Sequence, residues 1–274
     1  MKGSGSMAFF RGDFYSEHLG MQTGAHFVIP ENVEKNEELR VLYLLHGLSD
    51  NCGHWVRNTS AERYAVEHRT ALVIPEVQRS FYTDMKYGPH YFSYVSKELP
   101  AFAQKTFGLS AEREKNMVAG LSMGGYGAMK CALTYPEQYA YCAAFSSACD
   151  MLRRTQKASS APYVLDERIL RDIAGMFGPE LELPKECNLH YLAEKSASAP
   201  EKPKLFMTCG LQDVLLDENQ VMAGLLKKNG YDIHYEEWEG NHTWEFWDTS
   251  LRKAFHYFFG AKEDGVKTPL SDGK

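Results

Sequence analysis

Apolar residues along the chain gather into short continuous runs separated by longer amphipathic stretches. Residues 41–45, 71–75, 117–119, 141–147 and 204–209 are each mostly apolar over a strand's length, the pattern of strands buried on both faces. Between and after them, 61–68, 92–107, 126–135, 214–229 and 243–259 place apolar residues at helical spacing. Within 92–107 the apolar stripe is Phe92, Val95, Leu99, Phe102, Ala103 and Phe107, and Pro100 sits inside it. A proline there predicts a kink or a break. Residues 8–18 and 24–30 predict early antiparallel strands, 31–38 a loop, and 232–238 the last strand.

Strands alternating with helices predict a mostly parallel sheet covered on both faces, an α/β fold in one domain spanning 7–260. Residues 150–200 break the rhythm, with a helix expected over 164–174, glycines at Gly175 and Gly178, and a segment at 187–195. That stretch is expected to be an insertion above the strand ends, a cap over the site. Residues 1–6 read as an added leader before a native Met7, and 261–274 as a frayed polar tail.

The chain's 274 residues suffice for a large core, and 44% hydrophobic content fits a globular body. With 30 basic and 36 acidic residues and no basic block, a nucleic-acid partner is not expected. No apolar run approaches the ~20 residues that span a bilayer, so no membrane partner is expected either. The six cysteines form no C-x-x-C pair, which predicts reduced, core-filling thiols in a cytoplasmic protein.

The chemistry concentrates in Asn116-Met-Val-Ala-Gly-Leu-Ser-Met-Gly-Gly125. A buried strand runs into a sharp turn with Ser122 at its apex, Gly120 and Gly124 on either side, and a helix directly after. A serine hydroxyl needs a base, and the base needs a carboxylate to orient it. Of ten histidines, His242 stands directly after the last strand and before the last helix, at the sheet edge where Ser122 lies. His234 falls inside a strand and His256 inside a helix; His18, His26 and His68 carry no such context. Asp213 directly follows strand 204–209, whereas Asp217 and Glu218 read as first-turn charges of the next helix. The backbone N–H groups of Met123 and Leu48 are the expected oxyanion donors, with His46 bracing the Leu48 loop. Cys52, Tyr82 and Trp244 are pocket candidates. There is no H-E-x-x-H, phosphate-binding glycine loop or dinucleotide fingerprint, so neither metal nor cofactor is expected.

These residues, together with Leu44-Leu-His-Gly-Leu48, Trp55, Tyr82-Thr-Asp84, Glu98-Leu-Pro100, Gly120–Gly127, Cys209-Gly-Leu-Gln-Asp213 and Asn241-His-Thr-Trp-Glu-Phe-Trp247, resemble the esterase D-type branch of the α/β-hydrolases. The nearest likeness is to bacterial tributyrin-type short-chain esterases; S-formylglutathione hydrolases, feruloyl and acetyl-xylan esterases and mycolyltransferases are relatives. The resemblance implies an α/β-hydrolase fold and a serine carboxylesterase acting on a small-molecule ester, with Ser122 as nucleophile, Asp213 as acid and His242 as base. It suggests short acyl chains, with acetyl or feruloyl esters of plant polysaccharides as natural sources. A thioesterase of the S-formylglutathione type and an acyltransferase remain alternatives on the same three residues. So does a hydrolase-fold protein that only binds ligands or partners. A homo-oligomer is compatible with all of these.

Overall fold

A computed structural model describes residues 6–34, 37–159 and 167–260. The elements run in the order β1 (Met7–Ser16), β2 (Met21–Pro30), β3 (Arg40–Leu45), α1 (His54–Asn58), α2 (Ala61–Glu67), β4 (Thr70–Pro75), α3 (Tyr91–Ser93), α4 (Leu99–Phe107), β5 (Asn116–Leu121), α5 (Met123–Thr134) and β6 (Tyr141–Phe145). After them come α6 (Met151–Ser159), α7 (Glu167–Phe177), α8 (Leu189–Lys195), β7 (Lys204–Gly210), α9 (Leu216–Lys228), β8 (Ile233–Trp238) and α10 (Trp244–Phe259). The eight strands form one sheet in the order β1-β2-β4-β3-β5-β6-β7-β8. β3 to β8 pair in parallel, and the β1–β2 hairpin joins antiparallel through β2 and β4.

Alternation along the central strands divides the core in two. Val41, Tyr43 and Leu45 of β3 pack into one cluster, with Leu99 of α4 and Tyr126 and Met129 of α5. Leu42 and Leu44 pack into the other, with Trp55 of α1, Tyr64 of α2 and Leu251 and Phe255 of α10. Every second side chain thus meets a different helical layer, and a strand buried on both sides has no polar position to spare. That explains the unbroken apolar run of β3.

Pro100 neither breaks the helix nor leaves it regular. A π-helical turn, Tyr94–Glu98, joins α3 to α4, with Pro100 in the first turn of α4. The proline has no N–H to give a regular ladder, and the widened turn absorbs the mismatch. The helix expected over 164–174 is α7, Glu167–Phe177. It runs through Gly175 and stops at Gly178, whose φ of +88° favours glycine; residues 164–166 lie outside the described ones. α7 is tied down by Arg79 Nε to Asp172 (2.8 Å), Lys86 N to the Met176 carbonyl (2.8 Å) and Tyr87 N to the Gly175 carbonyl (3.1 Å). Of the expected leader only Ser6 is described, and its carbonyl accepts from Glu31 N–H at 3.0 Å; the tail 261–274 lies outside the described residues.

Candidate active site

β5 ends at Leu121, and α5 begins at Met123. Ser122, between them, is held at φ 52°, ψ −117°, a region that costs a non-glycine residue about 1–3 kcal/mol. The surroundings enforce it: Ser122 N–H donates to the Phe145 carbonyl (2.9 Å), and its own carbonyl accepts from Ala148 N–H (3.0 Å) and Tyr126 N–H (3.1 Å). The turn is tight enough to exclude side chains on either side. A Cβ on Gly120 would stand 2.3 Å from the Gly124 carbonyl oxygen, and one on Gly124 would stand 2.2 Å from that of Leu45. Both obstacles are backbone, so neither moves cheaply. We expect Gly124→Ala to lower Tm by roughly 5–10 °C in a thermal melt.

β7 delivers Asp213 through the turn after Gly210, and the loop between β8 and α10 delivers His242. His242 Nδ1 lies 2.9 Å from Asp213 Oδ2, and Nε2 lies 3.0 Å from Ser122 Oγ. Asp213 Oδ1 accepts from Leu215 N–H at 2.9 Å. Burial by itself would raise the Asp213 carboxyl; the hydrogen bond and charge of His242, with the bonds from Leu215 N–H and the Ser146 side chain, outweigh it and hold the group below the usual range. An ionised Asp213 only accepts, so the His242 proton sits on Nδ1 and the Nε2 lone pair faces the serine hydroxyl.

The rivals lie elsewhere. Glu218 is taken up by Arg154 (2.6 and 2.8 Å) and Asp150 N–H (2.7 Å). His234 pairs with Glu236 at 2.8 Å on the far strand, and His256 is exposed in the last turn of α10.

The loop after β3 is braced from several sides. His46, fully buried, contacts the Gly47 carbonyl through Nδ1 (2.8 Å) and accepts from Val77 N–H at Nε2 (3.1 Å). That pairing requires the neutral ring protonated at Nδ1. Gly47 N–H donates to Asp50 Oδ2 (3.1 Å), and Tyr82 OH donates to the His46 carbonyl (2.9 Å). Trp55 Nε1 holds the last carbonyl of β3 at 2.9 Å. Among the described residues neither Leu48 N–H nor Met123 N–H donates to a backbone acceptor, and Met123, first in α5, has no carbonyl one turn back to meet.

A cavity of about 190 Å³ opens over the serine, lined by Leu48, Phe81, Ser122, Ala148, Arg154, Ile169, Val214, Leu215 and His242. Of the three expected pocket residues, none lines it. Cys52 faces the other way, beside Glu76 and His26, and burial, reinforced by the Glu76 charge, pushes its thiol up to about 11. Tyr82 is fully buried beneath the His46 loop. Trp244 packs edge-on against Trp55 and Trp247, at 5.4 and 5.3 Å.

Two residues given no role in the site by the sequence reading contribute to it. Trp247 sets its ring edge-on to His242 at 4.8 Å and donates from Nε1 to Ser146 Oγ at 3.1 Å. Ser146 in turn bonds Asp213, so one tryptophan braces both members of the His–Asp pair. Its signal in the sequence was its place in the aromatic-rich stretch Asn241–Trp247 that follows the last strand.

The fold and this site define a serine hydrolase of the α/β-hydrolase class. Solved structures of that class superpose closely. Fluorophosphonate-binding serine hydrolase F of Staphylococcus aureus gives a TM-score of 0.82 at 29% identity, covering 93% of this chain and 99% of that one. The S-formylglutathione hydrolase FrmB of Staphylococcus aureus gives 0.80 at 29% identity, covering 92% and 99%. An acetyl esterase of Caldicellulosiruptor saccharolyticus is 30% identical over 265 residues, 92% of this chain and 98% of that protein. The chain belongs to the Esterase family, whose family model matches residues 16–258, and it is a serine ester hydrolase. Among the described residues no helix is long and apolar enough to cross a membrane.

Proposed function

We propose that Ser122, His242 and Asp213 form the catalytic triad of a carboxylesterase that takes short acyl groups. The observation that carries this is the hydrogen-bonded chain from Asp213 through His242 to Ser122, at 2.9 and 3.0 Å, ending in a small apolar cavity. His242 Nε2 takes the hydroxyl proton as Ser122 Oγ attacks the ester carbonyl. The developing oxyanion rests on the Leu48 and Met123 N–H groups. The Oγ–C bond forms, the imidazolium protonates the leaving alcohol, and the C–O bond to that alcohol breaks. Water then repeats the sequence on the acyl-enzyme, with His242 again as base.

Cavity size argues for the acyl length. An apolar cavity of about 150 Å³ accommodates benzene, so about 190 Å³ holds an acyl group of a few carbons. A feruloyl group exceeds it and would lie across the mouth. Ile169 of α7 and Arg154 of α6 supply walls, which supports reading 150–200 as a cap that sets this size. The acetyl esterase relative points the same way. A series of p-nitrophenyl esters tests it: kcat/KM should peak between acetate and butyrate. It should fall at least about tenfold by decanoate, each unburied methylene forgoing ~0.8 kcal/mol. A steady rise to decanoate would contradict the reading.

The S-formylglutathione hydrolase neighbour, at 29% identity, supports a second reading, a thioesterase on the same triad. Comparing kcat/KM for S-formylglutathione and p-nitrophenyl acetate separates the two. All six cysteines are free, five of them buried, which supports a reducing, cytoplasmic setting.

A further inference from the structure

β1 is an edge strand. All ten of its residues pair with β2, from Met7 with Pro30 to Ser16 with Met21, and no strand among the described residues covers its outer edge. A free edge of that length offers a row of unpaired N–H and C=O groups. Its side chains are unusual for a solvated edge, since Phe9, Phe10 and Tyr15 are 46%, 46% and 53% exposed. Arg11 and Asp13 are exposed too, flank Gly12, and point to the same side of the sheet, where both border the polar cavity that includes His26 and Glu76. Neither forms an ion pair within the subunit among the described residues.

Antiparallel pairing of the strand with a copy of itself must place one residue on the two-fold axis. Only residues that turn their N–H and C=O outward can pair with one another, and these alternate. Centring on Arg11 or on Asp13 sets like charges face to face. Centring on Gly12 sets Arg11 opposite the partner's Asp13, Phe10 opposite the partner's Phe14, and Phe9 opposite the partner's Tyr15. Each of these cross-strand pairs is favourable, and the pair between Arg11 and the partner's Asp13 occurs twice by symmetry. The segment Phe9-Phe-Arg-Gly-Asp-Phe-Tyr15 is therefore self-complementary about its glycine.

We propose that β1 is a homodimer interface, in which two copies join edge to edge, antiparallel and centred on Gly12, into one continuous sheet. The partner is a second copy of this chain because the register that satisfies the charges is the one a two-fold axis generates. The alternative use of such charges is to guard an edge against pairing, and the test separates the two.

Sedimentation of the whole chain over roughly 1–100 µM, the range where modest interfaces assemble, should show a dimer. Arg11→Asp and Asp13→Arg, each of which sets like charges opposite one another, should each weaken it at least about tenfold. The double reversal Arg11→Asp/Asp13→Arg should restore it. Gly12→Cys should form an inter-subunit disulfide on mild oxidation, because residues facing across such a pair have Cα atoms ~4.5–5.5 Å apart. A Cβ at Gly12 meets nothing closer than the Phe27 ring at 3.6 Å, so that variant keeps its fold. Turnover of p-nitrophenyl acetate checks that each variant is folded. A wild type that stays monomeric, single reversals without effect, or a double reversal that fails to restore assembly would each overturn the proposal.

Discussion

Ser122→Ala is expected to lower kcat on p-nitrophenyl acetate by about 10⁶-fold while leaving KM within a few-fold. The side chain contributes almost nothing to binding: only its Oγ reaches the cavity, and the walls there belong to Leu48, Phe81, Ile169, Val214 and Leu215. What the alanine removes is the covalent route itself. His242 would keep its bond to Asp213, and the Leu48 and Met123 N–H groups would still meet a carbonyl. Residual turnover about 10³–10⁴ above water is therefore expected from binding and oxyanion stabilisation alone. Alanine also fits the strained backbone no worse than serine, since both carry a Cβ at φ 52°, so the thermal melt should stay within a degree or two. A large loss of Tm would mean that activity was lost through the fold.

Asp213→Asn is expected to cost about 10⁴-fold in kcat. The amide keeps the shape but loses the charge, and its NH₂ turned toward His242 would favour the tautomer with the proton on Nε2, unable to accept from Ser122. Asp213 is also 5% exposed and bonded by Leu215 N–H, so the substitution touches stability. The sign follows from the depressed pKa. The folded state holds the carboxyl below its unfolded value of about 3.9, so the ionised group contributes stability that is fully present above that value. It is lost as pH falls through the folded pKa. The gap in Tm between wild type and Asp213→Asn should therefore be constant from about pH 5 upward and close in strong acid. A gap that widens on acidification would contradict the ionised assignment.

The central strands and their mostly parallel pairing were legible because burial on both faces leaves a direct trace, as in the run from Val41 to Leu45; the order of the strands came only with the structure. Ser122, Asp213 and His242 could be placed on one edge because each follows a strand, and parallel strands end on the same side. Side-chain direction off those strands was less legible. Phe81 and Tyr82 both take left-handed backbone, at φ 47° and 50°. Neither regular period applies there, and Phe81 turns into the cavity while Tyr82 turns beneath the His46 loop. Cys52, just beyond that loop, falls on the hairpin side. Ile169, Val214 and Leu215 come together over the serine only through long-range packing, for which a single sequence carries no periodic signal.

Covalent labelling tests acyl transfer through Ser122 most directly. After incubation with an excess of a fluorophosphonate, intact-mass and peptide mass spectrometry should show one adduct per chain, on the peptide holding Ser122, and none on Ser122→Ala. An unlabelled wild type, or an adduct on any other residue, would contradict the mechanism.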